Sequence, residues 1–265
     1  MNNIRIKPVW SKSKEDIWNE MFEPLEEHRN ENSQPLDEQK HKKNFLRSIP
    51  LWKYAASILL PVLLVCRLYT VTEVTQKGEN SVVELPDRTT VTMNADSKVS
   101  YKPIWWYFSR NLSLQGEAYF EVKSGSLFCV QSGRNRVKVM GTTFNVYARP
   151  AMYRVTCTSG RVEVQTGKES AILNPNMQAI FDERGLSINS NVPPLTATGW
   201  MQGMFVFIET PLQEVIAEVE RRYNITVAAD YNPNRLYSGT FAKTKQPEEV
   251  LEIIGKALEI RFHIE

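Results

Sequence analysis

The sequence contains little of the chemistry on which most enzymes depend. Its 265 residues include only three histidines and three cysteines, and the formal net charge is +2. His263 is the only histidine beyond residue 41, so neither a histidine cluster for a metal nor a Ser/His/Asp arrangement with a choice of partners can be built. The cysteines have no metal-ligand spacing, and so small a net charge argues against strong nucleic-acid binding. The sequence therefore predicts a protein that is not an enzyme and has no metal or cofactor.

Paired carboxylates are another route to catalysis, and the best candidates are Glu117 and Glu121 in the segment GEAYFEV. On a strand they share one face, but a separation of four residues places them about 13 Å apart. Paired glycosidase carboxylates lie about 5 to 9.5 Å apart. We therefore interpret both as residues of a solvated strand face.

Two of the cysteines lie on predicted strands. The apolar neighbours of Cys129, Phe128 and Val130, indicate that its side chain points away from the core, whereas Cys157 points inward with Val155. Because the two directions are opposed, we expect free thiols.

Long apolar stretches are also scarce, and the most prominent is Leu51–Tyr69, LWKYAASILLPVLLVCRLY. As a helix its 19 residues would extend about 28 Å, close to a bilayer core of about 30 Å. Lys53 and Arg67 lie near its ends, where they can reach the two interfaces. A buried core helix is the alternative, but Pro61 is better tolerated in a spanning helix. A signal peptide does not fit, because the run begins too deep in the chain and lacks a small-residue cleavage site.

Basic residues indicate the orientation of this predicted span. Five precede or enter it, Lys40, Lys42, Lys43, Arg47 and Lys53, whereas Arg67 is followed by none until Lys77. The basic side of a span stays in the cytoplasm. We therefore expect a single-pass membrane protein with its N-terminus in the cytoplasm and its C-terminal bulk outside.

Residues 1–50 are expected to form a short helical cytoplasmic arm. Ser13 and Asp16 make a variant of the capping box that opens a helix, and Pro24 should kink or end that helix. Its apolar side chains form one stripe: Ile17, Trp18, Met21, Phe22 and Leu25.

The other face of this helix is acidic, with nine carboxylates and one arginine between residues 15 and 38. A single amphipathic helix cannot bury its own stripe, so we expect a protein partner with a basic surface. A helix lying on the membrane would need a basic face instead, and a disordered arm is the remaining alternative.

From residue 70 to 190 the apolar residues recur with the period of two that is typical of strands. Ten short runs are separated by turn residues: Ser81–Leu85, Thr89–Met93, Leu112–Leu114, Tyr119–Val122, Leu127–Val130, Arg136–Val139, Phe144–Tyr147, Tyr153–Cys157, Val162–Gln165 and Ala179–Phe181. The pattern predicts an all-β domain, either a sandwich or an irregular solenoid, without a helix of ordinary length.

Residues 191–199 contain two prolines and small polar residues, and we interpret them as a linker. Strands and helices then alternate from residue 200 to 265: Met204–Glu209, Pro211–Tyr223, Ile225–Ala229, Tyr237–Phe241, Pro247–Ala257 and Arg261–Ile264. Thr210 is the predicted N-cap of the first helix, with Pro211 at its first position. This order is βαβ repeated twice, a small α+β domain.

Short motifs in the predicted β domain resemble those of the FecR-like family. LPDRTTVTMNADS (85–97) is similar to LPDGTxVxLNAxS, LQGEAYFEV (114–122) to LxGEAYFEV, VKVMGTTFNV (137–146) to VxVxGTxFNV, and LNPN (173–176) to LxPG. FCV at 128–130 fits FxV, and SGRVEV at 159–164 fits GxVxV. The residues that carry the resemblance are Leu85, Pro86, Asp87, Gly116, Glu117, Phe120, Gly141, Thr142, Phe144 and Gly160.

These residues are of the kinds that form turns and strand cores. Arg88 and Asn176 stand where the family usually has a turn glycine. If those turns need positive φ, arginine costs something like 1 kcal/mol there, and asparagine less.

The resemblance implies an anti-sigma regulator of the inner membrane. In such proteins a cytoplasmic arm holds an extracytoplasmic-function (ECF) sigma factor. A periplasmic part senses a signalling TonB-dependent transporter of the outer membrane, SusC-like or siderophore-transporting. The stripe Ile17, Trp18, Met21, Phe22 and Leu25 would then contact the sigma factor, although this arm matches only the later part of a usual family arm.

The C-terminal repeat resembles the short N-terminal-like (STN) domain that secretins and TonB-dependent transporters share. That likeness leaves a second interpretation open, a membrane-anchored envelope adaptor of secretion or transport assembly without sigma control.

Some members of the family are cut in the periplasm at a Gly-Thr bond in this motif, here Gly141-Thr142. A threonine hydroxyl can attack the preceding carbonyl and form an ester that water opens. The alternative is a tight turn in which Gly141 supplies positive φ and Thr142 begins a strand.

Overall fold

The computed structural model describes residues 12–13, 15–16, 52–150, 152–167, 169–182, 185–244 and 246–265. The chain divides into two units, Met1–Leu51 and Trp52–Glu265. In the first unit the Ser13 backbone N–H donates to the Asp16 carboxylate, and the Asp16 N–H donates to the Ser13 hydroxyl, both at 3.2 Å. These reciprocal bonds confirm the predicted capping pair. The apolar stripe of the arm, Ile17, Trp18, Met21, Phe22 and Leu25, lies outside the described residues.

The second unit begins with helix α1, Trp52–Leu68, which contains Pro61. Its 17 residues extend about 25 Å. Seven of its described apolar side chains are more than half exposed: Leu59, Leu60, Val62, Leu63, Leu64, Val65 and Leu68. None of the helices in the described part of the chain is long and apolar enough to cross a membrane.

Thirteen strands follow among the described residues of the β domain. They are β1 (Val71–Thr75), β2 (Ser81–Glu84), β3 (Thr90–Met93), β4 (Ser97–Tyr101), β5 (Arg110–Glu121), β6 (Phe128–Ser132), β7 (Asn135–Val139), β8 (Thr143–Arg149), β9 (Met152–Ser159), β10 (Val162–Thr166), β11 (Glu169–Leu173), β12 (Met177–Asp182) and β13 (Gly185–Asn189). A single 3₁₀ turn, Pro103–Trp105, interrupts the described strands, so the all-β prediction is confirmed.

The long strand β5 belongs to two sheets. Its first half pairs with β4 and β6 in the first sheet, of order β1-β4-β5-β6-β7-β10-β11. Its second half pairs with β3 and β8 in the second sheet, of order β2-β3-β5-β8-β9-β12-β13. The β5–β6 pair is parallel. Both sheets contribute side chains to one hydrophobic core, so the domain is a sandwich rather than a solenoid.

Gly116 is where β5 passes from one sheet to the other. Its φ is +102°, and a Cβ built there would lie 2.4 Å from the Ser97 hydroxyl oxygen, so a side chain cannot be accommodated. The same hydroxyl accepts the Glu117 N–H at 3.0 Å and lies 3.1 Å from the Glu117 carbonyl. Beyond the bend, Phe120 stacks on Phe144 in the core, with ring centroids 5.0 Å apart.

The sequence-based strand assignment misses four strands and divides a fifth. Strands β1, β4, β11 and β13 were not expected, and the predicted runs Leu112–Leu114 and Tyr119–Val122 are both parts of β5. In β1 and β13 no apolar side chain is fully buried, so the apolar alternation that marks a strand is weak there.

Part of the segment predicted as a linker forms a short helix, and a 3₁₀ turn begins at its last residue. Helix α2 spans Leu195–Thr198, and a 3₁₀ turn spans Gly199–Gln202. Ala197 and Trp200 are buried, so this segment packs against the folded domains.

The C-terminal domain has the predicted order βαββαβ. Its elements are β14 (Met204–Pro211), α3 (Leu212–Tyr223), β15 (Val227–Ala228), β16 (Leu236–Ala242), α4 (Pro247–Leu258) and β17 (His263–Ile264). Strand β14 pairs antiparallel with β16, and β15 pairs antiparallel with β17. Helices and sheets enclose a second hydrophobic core.

The predicted N-cap of α3 is wrong. Thr210 lies in β14, paired with Tyr237, and its hydroxyl donates to the Ile208 carbonyl at 3.3 Å. The first N–H groups of α3 donate instead to backbone carbonyls, Leu212 to Arg235 at 2.8 Å and Gln213 to Pro233 at 3.1 Å. The pairing with β16 keeps Thr210 extended, so the chain's own loop satisfies the helix terminus.

Candidate functional site

Metal-ligating side chains and thiols are the first groups to consider as a site. The described residues contain no group of three or more metal-ligating side chains. Cys129 and Cys157 are free and buried. Cys157 belongs to the sandwich core, as its predicted inward direction requires, and burial raises its pKa to about 11.

The first family motif forms the turn between β2 and β3. The Asp87 carboxylate accepts the Thr89 N–H at 3.2 Å and the Thr89 hydroxyl at 2.8 Å, and it pairs with the buried Arg110. Burial alone would raise the pKa of Asp87, but the bonds from Thr89 and Arg110 lower it. Arg110 also donates to the Lys123 carbonyl at 2.9 Å and the Ser126 carbonyl at 2.7 Å, so this arginine at the start of β5 joins the β2–β3 turn to the β5–β6 loop.

Arg88 and Asn176 both have φ of 64°, which confirms that these family glycine positions need positive φ.

The Gly141-Thr142 bond lies in a crowded turn. A Cβ on Gly141 would lie 2.6 Å from the Ser124 hydroxyl oxygen, and one on Gly160 would lie 2.9 Å from the Thr142 hydroxyl oxygen. The Thr142 hydroxyl donates to the Arg161 carbonyl at 3.1 Å, and the Thr142 carbonyl accepts the Val122 N–H at 3.1 Å. The hydroxyl that would attack in self-cleavage is therefore engaged elsewhere in this conformation, and cleavage stays a prediction.

The interpretation of Glu117 as a solvated residue is wrong, while Glu121 is exposed as expected. Alternation predicts one open face for the second half of β5, but the residues from Gly116 to Phe120 are all buried. Ala118 and Phe120 belong to the sandwich core. The Glu117 side chain instead faces the C-terminal domain, where Asn94 donates hydrogen bonds both to it and to Glu218 of helix α3. The two glutamates thus differ because only one lies under the neighbouring domain.

Two asparagines hold the Glu117 carboxylate. Asn94 Nδ2 donates to it at 2.7 Å and Asn145 Nδ2 at 2.8 Å. The opposite ends of both amides are engaged, since Asn94 Oδ1 accepts the Ala95 N–H at 2.8 Å and Asn145 Oδ1 accepts Trp200 Nε1–H at 3.3 Å. Both asparagines therefore present N–H groups to Glu117, which must supply two acceptors.

Helix α3 supplies the other half of the site. Glu218 accepts a hydrogen bond from Asn94 Nδ2 at 3.1 Å and pairs with Arg221 at 2.9 Å. The Tyr147 hydroxyl donates to Glu214 at 2.6 Å and accepts from Arg221 at 3.0 Å. We call Asn94, Glu117, Asn145, Tyr147, Glu214, Glu218 and Arg221 the interdomain cluster. The Gly78 N–H extends it by donating to the Arg221 carbonyl at 2.8 Å.

Burial governs the electrostatics of this cluster. The pKa of Glu117 is raised by burial and then by the nearby charge of Glu218, while the charge of Arg154 and the bonds from the two asparagines lower it. Burial also raises the pKa of Tyr147, so its hydroxyl stays protonated and remains a donor. For Arg221, burial lowers the pKa, but the charge of Glu218 and the other interactions of the guanidinium together raise the pKa by more than burial lowers it. The guanidinium therefore stays charged.

A small cavity of about 40 Å³ lies beside the cluster, between the sandwich and the C-terminal domain. It has room for water, and its lining includes Glu117, Arg154 and Arg222. Arg222 packs on the Phe205 ring at 4.0 Å and donates to the Met204 carbonyl at 2.7 Å. The arrangement joins the two domains through buried polar groups.

The interdomain cluster is what reasoning from the sequence missed. One signal was present in α3, where Glu214, Glu218 and Arg221 recur at i, i+4 and i+7. A charged stripe of this kind usually faces solvent, and nothing in its spacing says that another domain covers it.

Comparisons with known proteins agree with this architecture. The family described as FecR protein matches residues 71–163, and the one described as FecR, C-terminal matches residues 204–265. Two crystal structures of a "putative anti-sigma factor" from Parabacteroides distasonis ATCC 8503 are 30% and 29% identical to this chain, with TM-scores of 0.70 and 0.69. Each comparison covers 74% of this chain and 95% of the other. No curated protein matches.

The chain therefore belongs to the FecR-like family, as its motifs predicted. This family is regulatory rather than enzymatic.

Proposed function

We propose that this chain is an anti-sigma factor of the inner membrane that relays a signal from a TonB-dependent transporter to an ECF sigma factor. The cytoplasmic arm holds the sigma factor, α1 crosses the membrane, and the two folded domains lie in the periplasm. Support comes from the two family matches, in the order FecR protein and then FecR, C-terminal, and from structural neighbours that carry an anti-sigma description.

The observation that carries the membrane part of this proposal is the exposure of α1. Apolar side chains such as Leu60 and Val65 are exposed on a helix whose sequence is apolar on every side. A helix of this kind needs an apolar environment, and a bilayer supplies it. The basic residues Lys40, Lys42, Lys43, Arg47 and Lys53 favour a cytoplasmic N-terminus.

The C-terminal domain is suited to receive the transporter. Its two-stranded sheets, β14–β16 and β15–β17, are small and leave strand edges with which another small sheet can pair. A transporter domain bound there would act on the sandwich through the interdomain cluster.

Two measurements test this function. Affinity purification of the full-length chain from solubilised membranes of its host should recover an ECF sigma factor, and a chain lacking residues 1–50 should not. A reporter active only in the periplasm should be active when fused after Glu265 and silent when fused after Asn44. Absence of any sigma factor from the full-length sample would refute the anti-sigma role, and reversed reporter activities would refute the orientation.

A further inference from the structure

The strand register shows which end of the sandwich adjoins helix α1. Helix α1 ends at Leu68 and β1 begins at Val71, which pairs with Tyr101 at the end of β4. The loop after Tyr101 therefore leaves the sheet on the side where α1 enters it.

Side-chain contacts fix this loop to the end of the helix. Trp105 Nε1–H donates to the Cys66 carbonyl at 3.0 Å, and Lys102 Nζ donates to the Arg67 carbonyl at 3.1 Å. The Arg67 guanidinium also lies 5.7 Å from the centre of the Trp105 ring. The last carbonyl groups of a helix accept no hydrogen bond from within the helix. The side chains of this loop supply donors to two of them.

Other loops of the first sheet reach the same end. Tyr101 pairs with Leu112 in β5, the start of β5 pairs with Phe128, and Phe128 pairs with Val139. The residues just before β6 and just after β7 therefore lie beside the loop that follows β4. The Gly125 N–H donates to the Met140 carbonyl at 3.0 Å and joins two of these loops directly.

This end of the sandwich carries large exposed apolar side chains. Tyr107 and Phe108 are 85% and 83% exposed, Met140 is 64%, Leu127 is 53% and Ile104 is 46%. We call these five residues the apolar rim. Single exposed apolar residues are ordinary, but five on neighbouring loops at one end mark an interaction surface.

The opposite end of the same sheet is different. It consists of polar turns, including Gly133–Arg134 between β6 and β7, and it adjoins the C-terminal domain through the bond between Gly78 and Arg221. The apolar rim is thus confined to the end at which α1 enters, and the interdomain cluster lies toward the other end.

We propose that the apolar rim inserts into the headgroup region of the membrane that α1 spans and holds the sandwich against the bilayer. This inference rests on the proposed span. Tyrosine and phenylalanine suit this region, where an apolar ring meets a polar boundary, and the bonds to Cys66 and Arg67 place them at the level where α1 ends. Exposed charges at this end are mostly basic, Arg67, Lys102, Lys123 and Arg161 against Glu121, so anionic headgroups would add to an insertion that rests mainly on apolar burial.

The test uses the full-length chain in lipid nanodiscs, with the photocrosslinking residue p-benzoylphenylalanine placed at Phe108. This position is exposed and already aromatic, so the substitution preserves the fold. The matched control places the same residue at Arg134, an exposed turn at the other end of the sheet, and a third variant places it at Leu63 within α1. After irradiation, intact-protein mass spectrometry reports adducts with lipid.

We expect lipid adducts at 63 and 108 and none above background at 134, in nanodiscs of phosphatidylcholine as well as in nanodiscs that contain phosphatidylglycerol. Adducts at 63 without adducts at 108 would overturn the rim proposal and leave the span intact. Absence of adducts at 63 would refute the span itself. Adducts at 108 only with phosphatidylglycerol, or equally at 108 and 134, would contradict insertion of the rim by apolar burial. A protein adduct at 108 in intact cells without a lipid adduct would assign the rim to a protein partner and also overturn the proposal.

Discussion

Glu117 of the sandwich and Glu218 of helix α3 accept hydrogen bonds from the same atom, Asn94 Nδ2, at 2.7 and 3.1 Å. Two carboxylates that share one donor in a buried site repel each other unless other groups offset their charge. Here Asn145 bonds the first and Arg221 the second. The docking of the two domains therefore depends on a set of buried polar side chains. If one of them is lost, its partners have few other groups with which to form a hydrogen bond.

Replacing Glu117 by alanine should weaken this docking strongly. The change leaves the N–H groups of Asn94 and Asn145 buried with fewer acceptors, and each unsatisfied group costs about 1 to 3 kcal/mol. We expect a loss in the free energy of unfolding on the order of 2 kcal/mol or more, measured by denaturant titration in detergent. Glu121→Ala is the matched control on the same strand, where an exposed carboxylate should change stability by less than about 0.5 kcal/mol. Equal effects of the two variants would contradict the burial of Glu117.

The stability of the chain should carry a pH dependence that originates at Glu117. Its pKa is raised in the folded state from an ordinary value of 4.5, so the folded state binds this proton more tightly than the unfolded state does. The stabilisation that this proton gives to the folded state is fully present below the ordinary pKa of Glu117. It is lost as the pH rises through the raised pKa of the folded state.

Glu117→Gln removes this titrating group. It also places an amide N–H₂ against the N–H₂ of an asparagine, so the variant protein is less stable by an amount that does not depend on pH. Melting temperatures measured from acidic to neutral pH should therefore fall more in the unmodified protein than in Glu117→Gln. Parallel curves would show that Glu117 is not the group responsible.

Gly116→Ala should prevent the sandwich from folding properly. The new Cβ would lie 2.4 Å from the Ser97 hydroxyl oxygen and 2.7 Å from its Cα, and backbone cannot move aside easily. Gly133→Ala is the control, because Gly133 also has positive φ but nothing lies within 4 Å of a Cβ there. It should cost only about 1 kcal/mol. Thermal unfolding followed by circular dichroism separates the two, and a fully folded Gly116→Ala protein would refute the role of the bend.

Replacing Trp18 and Phe22 by alanine should abolish co-purification of the sigma factor with the full-length chain. Buried aromatic anchors dominate interfaces of this kind. Membrane insertion should be unchanged, since the arm precedes α1. Undiminished recovery of the sigma factor would contradict the assignment of the stripe, whereas binding of the arm to lipid vesicles without sigma contact would favour a helix on the membrane surface.

Self-cleavage at Gly141-Thr142 would divide the chain into two fragments of similar size. A denaturing gel should then show two bands for the unmodified protein and for Thr142→Ser, which keeps a hydroxyl, and one band for Thr142→Ala. Before cleavage the threonine hydroxyl must leave the Arg161 carbonyl to which it donates in this structure. One full-length band from all three proteins would leave Gly141 as a turn residue.

The sequence by itself determined the features that depend on neighbouring residues. The period of two marked most strands of the sandwich, and the order of the C-terminal elements followed from alternating strand and helix signals. The motif positions of Arg88 and Asn176 indicated turns with positive φ, and Ser13 with Asp16 indicated a helix start. Each is local, because a turn, a cap or a strand face is set by residues a few positions apart.

Only the tertiary structure decided which polar faces are buried. Glu117 and Glu121 obey the same alternation, yet one lies beneath α3 and the other is exposed, because the C-terminal domain, about a hundred residues later in sequence, covers only part of the second sheet. Trp200 follows a proline-rich segment that resembles a linker, yet its indole N–H donates to Asn145 of the sandwich. Local spacing carries no information about which domain will cover a face, and coverage determines whether a polar side chain is solvated or must find a buried partner.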